Sequence, residues 1–117
     1  MPAIYGIPTC STVRKARAAL ETIDRPYSFH DYRELPTLAI KLDQWLKVLD
    51  WSDLLNRRST TWRQLGPDER ASAMDAHGAR ALMLAHPTLI KRPVVEWPNG
   101  EVTVGFDAES WKLRLGG

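Results

Sequence analysis

Strand-type and helix-type patterns alternate within the first 32 residues, and this order limits the folds open to the chain. The apolar run 3–7 predicts a strand, and apolar residues then recur at helical spacing. Thr9 or Ser11 is expected to cap this helix, and the alternation over 27–31 predicts a second strand. A strand, a helix and a strand in this order form a βαβ unit with parallel strands.

The middle of the chain predicts helices. One apolar face follows Pro36, and Pro67 stands where a proline favourably opens a helix. Gly78 is expected to divide the next helical segment, while 57–61 is interpreted as a loop. The helical part is expected to run over approximately 35–88.

The last third returns to strands. Residues 94–95 and 102–105 predict two strands, and Asn99-Gly100 between them is typical of a hairpin turn. Asp107 is placed to cap a final helix. The whole order, βαβ, helices and ββα, predicts an α/β fold with a mixed sheet and an inserted helical subdomain, in a single domain over 1–117.

Composition limits the classes of function. A chain of 117 residues with 44% hydrophobic residues suits one soluble globular domain. The formal charge of +2, without a basic block, argues against a nucleic-acid partner. No signal peptide is recognisable, and no apolar stretch approaches the roughly 18 residues of a membrane span. Together with a lone cysteine, these features predict a cytoplasmic protein that does not associate with membranes.

The position of Cys10 in the sequence is typical of a reactive thiol. It follows a predicted strand and immediately precedes a helix, where backbone N–H groups and the helix dipole stabilise a thiolate. The N–H groups of Ser11, Thr12 and Val13 could hold an anion, and Arg14 adds positive potential. The alternative is a small buried structural residue, which is what a lone cysteine usually is. Position alone leaves both interpretations open.

A dithiol mechanism does not fit the sequence. Val13 stands where a C-x-x-C motif carries its second cysteine. A redox cycle at Cys10 would therefore take its resolving thiol from glutathione, a thiol-reductase protein or a second chain.

Arginines are the second set of candidates. Arg92-Pro93 lies just before a predicted strand, and a guanidinium there could grip a carboxylate or an oxyanion. The alternative is a solvated arginine beside a strand, and Arg57-Arg58 in a polar loop has weaker support. The histidines show no metal-ligand spacing, so no metal site is expected: His30, His77 and His86.

Four segments carry a resemblance to a known family. They are YGIPTCSTVRKA at 5–16, LLNRRSTTWR at 54–63, LIKRPV at 89–94 and VGFDAESW at 104–111. Their order and spacing resemble the ArsC/Spx group of thioredoxin-fold proteins, most closely its small YffB-like branch. The resemblance spans essentially the whole chain and implies a thioredoxin-like sheet with a helical insertion.

The resemblance also implies roles for individual residues. Cys10 matches the nucleophile of the family's arsenate reductases, and Arg92 matches an oxyanion-binding arginine before a cis proline, here Pro93. The loop arginine falls near Arg58, although another alignment shifts it to Asn56 or Arg57. Gly105 stands at the third arginine's position. Losing one charge-assisted contact there would cost an oxyanion about 1.5–3 kcal/mol.

The function implied is that of a glutathione-dependent thiol-disulfide oxidoreductase with Cys10 as its single nucleophile. Glutathione is the expected co-substrate, no cofactor is expected to be bound, and a protein disulfide is a further candidate substrate. The residues expected to bind substrate or glutathione are Ser11, Thr12, Arg14, Arg58, Arg92 and Pro93. Two alternatives remain: an arsenate reductase coupled to glutathione and glutaredoxin, and a non-catalytic Spx-like interaction or regulatory module.

Overall fold

The computed structural model describes residues 1–116, which divide into two compact units. The first combines Met1–Asp31 with the chain from Arg92 onward, and the second is Tyr32–Lys91. The predicted helical insertion, 35–88, falls inside the second unit, while the single-domain assignment stays a prediction. Among residues 1–116, no helix has both the length and the apolar content needed to cross a membrane.

The first unit holds a mixed sheet with two helices. Its elements are β1 (Ala3–Gly6), α1 (Ser11–Thr22), β2 (Ser28–Asp31), β3 (Val94–Glu96), β4 (Val102–Val104) and α7 (Ala108–Arg114). The strand order is β2-β1-β3-β4. β1 runs parallel to β2, with α1 as the crossover, whereas β3 is antiparallel to both β1 and β4. The predicted α/β fold, βαβ followed by ββα, is confirmed.

In the core of the first unit, α1 packs against one face of the sheet. Ile4 and Val95 are paired across β1 and β3, and Ala16 and Leu20 of α1 lie in the same buried cluster. Two residues four apart on a helix share one face, so this packing fixes how α1 lies on the sheet. Trp97 and Trp111 complete the cluster with an edge-to-face contact at 5.0 Å between ring centroids.

The predicted hairpin joins β3 to β4. The N–H of Trp97 donates to the Glu101 carbonyl at 2.8 Å, and the N–H of Gly100 donates to the Trp97 carbonyl at 2.9 Å. Only Gly100 of the turn adopts a positive φ, at 90°. Asp107 caps α7 as predicted, since its side chain accepts from the Ser110 N–H.

The second unit is helical. Its elements are α2 (Leu38–Leu46), α3 (Trp51–Leu54), α4 (Thr60–Gln64), α5 (Pro67–Ala71), α6 (Ala76–Ala85) and short 3₁₀ helices at Tyr32–Glu34 and Pro87–Leu89. The interior of this unit contains Leu42, Trp45, Leu54 and Met83, all fully buried.

Two predictions in this unit are wrong. Gly78 does not divide a helix but lies in the first turn of α6, where its N–H donates to the capping Asp75 carboxylate at 2.8 Å. Glycine is needed there because a Cβ would run into the carbonyl oxygen of Ser72. The predicted loop 57–61 ends early, since α4 begins at Thr60 once the Ser59 hydroxyl caps it.

Candidate active site

Cys10 occupies the N-cap position of α1. Its N–H donates to the Ile7 carbonyl at 3.1 Å, and its carbonyl accepts from the Arg14 N–H at 3.0 Å, the first bond of the helix. No side-chain oxygen caps this helix. The prediction that Thr9 or Ser11 does so is therefore wrong, and Ser11 is the first helical residue. The Cys10 thiol occupies the place of a capping oxygen, among N–H groups that lack a helical partner.

The pKa of the Cys10 thiol is lowered from its ordinary value. Burial raises this pKa, but hydrogen bonds from the backbone N–H groups of Val13 and Thr12 outweigh it, as do the hydrogen bond and positive charge of Arg92. Cys10 as a residue is half-buried rather than fully enclosed. Because the thiolate is the nucleophilic form, these groups increase the reactive fraction of Cys10 below the ordinary thiol pKa.

A glycine at the end of β1 makes this arrangement sterically possible. A Cβ on Gly6 would lie 2.8 Å from Cγ2 of Val13 and 3.7 Å from the Cβ of Arg92. Val13 is fully buried, so it cannot give way without repacking. The Gly6 backbone is not in the left-handed region, so space rather than conformation requires the glycine. Gly6 is absent from the predicted site, although an isolated glycine in a strand pattern signals close backbone approach.

Arg92 and Pro93 lie immediately before β3 and are joined by a cis peptide bond, as the resemblance implies. Arg92 is half-buried and Pro93 is buried. The Pro93 carbonyl accepts from the Gly105 N–H at 2.8 Å. Gly105 has a φ of 81°, which disfavours any side chain, and a Cβ on it would meet nothing within 4 Å. The predicted third-arginine position is thus an open backbone site in a conformation that favours glycine.

The other residues predicted around Cys10 lie on the first turn of α1. Ser11 and Arg14 are exposed, whereas Thr12 is half-buried and directs its backbone N–H to the thiol. The Arg14 guanidinium makes no hydrogen bond or ion pair within residues 1–116. Binding of substrate or glutathione by these three residues stays a prediction.

The two loop arginines of the second unit differ in their surroundings. The guanidinium of Arg57 lies between the rings of Trp51 and Trp62, 5.6 and 5.7 Å from their centroids. Cation–π contacts of this kind hold Arg57 in place. Arg58 donates its backbone N–H to Oδ1 of Asn56 at 3.1 Å, and its exposed side chain is unpaired within the described chain. Of the two, Arg58 keeps its guanidinium available for a ligand.

His30 and His86 have different local contacts. His30 stacks on Tyr5 at 4.8 Å between ring centroids and shares a hydrogen bond with Ser28. His86 lies 3.5 Å from the Glu69 carboxylate. Within residues 1–116, no three His, Cys, Asp or Glu side chains come together in a group that could hold a metal ion.

The sheet order, a cysteine at the start of α1 and a cis proline before β3 define a thioredoxin-like protein. The chain belongs to the ArsC family, whose profile matches residues 5–113. A solved YffB protein superposes with a TM-score of 0.90 at 37% identity, covering 99% of this chain and 100% of that one.

Two further relatives have different descriptions. An arsenate reductase (ArsC) related protein from Brucella melitensis is 43% identical, with a TM-score of 0.76, over 99% of this chain and 95% of that one. The global transcriptional regulator Spx of Streptococcus mutans is 25% identical over 120 residues, covering 98% of this chain and 83% of the regulator. At family level, the chain is related both to oxidoreductase-type proteins and to regulators.

Proposed function

We propose that this protein is a glutathione-dependent thiol-disulfide oxidoreductase with Cys10 as its single nucleophile. The observation that carries the proposal is the partly exposed Cys10 thiol, whose pKa is lowered by two backbone N–H groups and Arg92. Partial exposure together with groups that lower the thiol pKa is typical of reactive cysteines, whereas structural cysteines are buried and inert.

The reaction proceeds by two thiol-disulfide exchanges. The Cys10 thiolate attacks the glutathione sulfur of a disulfide between substrate and glutathione; the S–S bond breaks, a Cys10–glutathione disulfide forms and the substrate leaves as its thiolate. A second glutathione thiolate attacks the glutathione sulfur of this intermediate. This second exchange releases glutathione disulfide and restores the Cys10 thiolate. The two electrons that reduce the substrate disulfide come from the oxidation of glutathione.

Backbone and arginine groups bind the substrate in this proposal. Arg92 stabilises the Cys10 thiolate and binds a carboxylate of glutathione, with Pro93 shaping the same segment. Ser11 presents its helix N-terminal N–H group to the substrate, whereas the N–H of Thr12 holds the attacking sulfur and its further role in substrate binding stays a prediction. Exposed Arg14 is proposed as a further carboxylate-binding group, supported by its unpaired guanidinium group within residues 1–116. Glutathione binding by Arg58 of the second unit stays a prediction from the resemblance.

Cys10→Ser tests the mechanism directly. The assay follows reduction of a glutathione–hydroxyethyl disulfide through NADPH oxidation by added glutathione reductase. Cys10→Ser is expected to abolish turnover and the glutathione adduct seen by intact-protein mass spectrometry, while Thr9→Ser, an exposed neighbour, preserves both. Arg92→Ala is expected mainly to raise KM, and also to lower the rate near neutral pH because it raises the pKa of Cys10. An unchanged rate in Cys10→Ser would refute the mechanism.

Arsenate reduction is the second candidate, and the arsenate reductase-related relative and the Cys10–Arg92 pair favour it. Gly105 at the predicted third-arginine position weakens it, because one charge-assisted contact to the oxyanion is missing. This candidate would be favoured over the first by arsenate-dependent NADPH consumption with glutathione, glutaredoxin and glutathione reductase, together with no turnover of hydroxyethyl disulfide when glutaredoxin is left out.

A non-catalytic regulatory role is the third candidate, and the Spx relative supports it. Val13 in place of a second cysteine argues against a dithiol switch and leaves constitutive binding to a protein partner. Saturable binding to purified RNA polymerase by both the wild type and Cys10→Ser, with no reductase activity in either assay, would favour this role.

A further inference from the structure

The first unit contains an apolar cavity between the C-terminal half of α1 and α7. Its volume is about 330 Å³. The apolar side chains that line it are Ala19, Ile23, Phe106, Ala108, Trp111 and Leu115. Small-molecule sites typically measure about 300–1,000 Å³ and are mostly apolar with a few polar groups. The cavity thus has the size and lining of a site for a small apolar ligand.

This cavity is separate from the candidate active site. Ala19 lies nine residues after Cys10, which corresponds to about 14 Å along the axis of α1. Neither Cys10 nor Arg92 lines the cavity. A ligand bound there would therefore not contact the thiol.

Two positively charged side chains lie at the edge of the cavity. Lys112 is the only charged residue among those lining it, and its exposed ammonium group has no hydrogen bond or ion pair within the described chain. Arg25 donates from Nη2 to the carbonyl of Leu115 at 3.4 Å, which brings a second positive charge to the same edge. Glu109, one turn before Lys112, does not line this cavity, although both residues line a neighbouring depression.

We propose that the cavity binds an amphipathic anion, an aliphatic carboxylate of medium chain length. Its alkyl tail would cover the apolar wall that Ile23 and Phe106 leave partly exposed to water. Its carboxylate would pair with Lys112 at the rim, where Coulomb attraction is screened but not cancelled. The two alanines matter because larger side chains at 19 and 108 would occupy the space of the tail.

The test is calorimetric titration of the full chain with sodium decanoate below its micelle-forming concentration, with decan-1-ol as the uncharged probe. Ala19→Leu fills the cavity and is expected to weaken decanoate binding about tenfold or more. Ala18→Leu, an exposed neighbour on α1 that does not line the cavity, should leave binding unchanged. Ala108→Leu is a second filling variant in case Ala19→Leu does not fold, which circular dichroism would reveal.

The charge is tested separately. Lys112→Gln is expected to weaken decanoate binding about two- to fivefold and to leave decan-1-ol unaffected. Lys47→Gln, which removes an exposed lysine from the second unit, should change neither.

Three results would overturn the proposal. The first is the absence of saturable binding of decanoate by the wild type. The second is decanoate binding that both filling variants retain. The third is concentration-dependent dimerisation, measured by sedimentation, that Ala19→Leu abolishes, because a second copy of the chain would then be the occupant. None of these results depends on Cys10 chemistry, so the proposed reductase activity would stand or fall independently.

Discussion

Gly6→Ala is expected to damage both the stability of the first unit and the reactivity of Cys10. The new Cβ would lie 2.8 Å from Cγ2 of Val13, whereas carbon atoms prefer about 3.5–4.0 Å. Val13 is fully buried, so the clash must be relieved by repacking, at about 1–3 kcal/mol. At roughly 4 °C per kcal/mol for a chain of this size, Tm should fall by about 4–12 °C.

The effect on reactivity follows from the same displacement. Val13 supplies one of the backbone N–H groups that lower the pKa of Cys10, so moving it away should raise that pKa. The measurement is the rate of iodoacetamide alkylation against pH, followed by intact-protein mass spectrometry, with Tm from circular dichroism. Gly66→Ala is the matched control, because a Cβ there makes only an ordinary contact, 3.8 Å from Oε1 of Glu69. It should leave alkylation unchanged.

A double variant isolates the steric cause. Val13→Ala removes Cγ2 and costs about 2 kcal/mol by itself, through lost burial and a small cavity. In that background Gly6→Ala should cost clearly less than it does in the wild type, a coupling that a double-mutant cycle measures. Equal costs in both backgrounds, or unchanged alkylation in Gly6→Ala, would refute the assignment of Gly6 as the residue that gives α1 room.

Three further predictions address charge, pH and the second unit. Arg92→Gln should raise the pKa of Cys10, measured from the rate of alkylation against pH. Arg70→Gln, which removes an exposed arginine of α5, is the control and should leave this pKa unchanged. Equal alkylation profiles for Arg92→Gln and the wild type would contradict the role of Arg92. Because folding lowers the Cys10 pKa, the thiolate contributes stability that is full above the ordinary value of about 8.5 and is lost as pH falls through the folded-state pKa. The unfolding free energy of the wild type relative to Cys10→Ser, from urea titrations, should therefore increase as the pH rises towards the ordinary thiol pKa of about 8.5, and a constant difference would contradict this. Gly78→Ala should destabilise the second unit by about 3 kcal/mol in urea unfolding, because its Cβ meets a backbone carbonyl, and a loss below about 1 kcal/mol would count against that reason.

The features that were predicted correctly depend on neighbours in sequence. The first strand, α1 and the hairpin at Asn99-Gly100 follow from apolar spacing and turn residues over a few positions. Gly78 was misread because a glycine in a helical pattern usually weakens the helix, whereas here it makes room for a carbonyl from the preceding segment. The start of α4 at Thr60 was missed because Ser59 resembles an ordinary polar loop residue until its hydroxyl is seen to cap the helix.

Some features of the candidate site follow from local sequence, whereas others depend on the tertiary structure. Sequence alone placed Cys10 between a strand and a helix, since both patterns are local, and the family resemblance marked Arg92-Pro93. It could not show that Arg92 reaches the thiol, because β3 is joined to β1 by pairing across more than eighty residues of chain. It also could not show that Gly6 leaves room for Val13, or that Arg57 lies between two tryptophan rings while Arg58 does not. Local patterns determine which elements form and place the thiol beside the N–H groups of Thr12 and Val13, whereas Arg92 comes from a distant segment and reaches the thiol only because β3 pairs with β1.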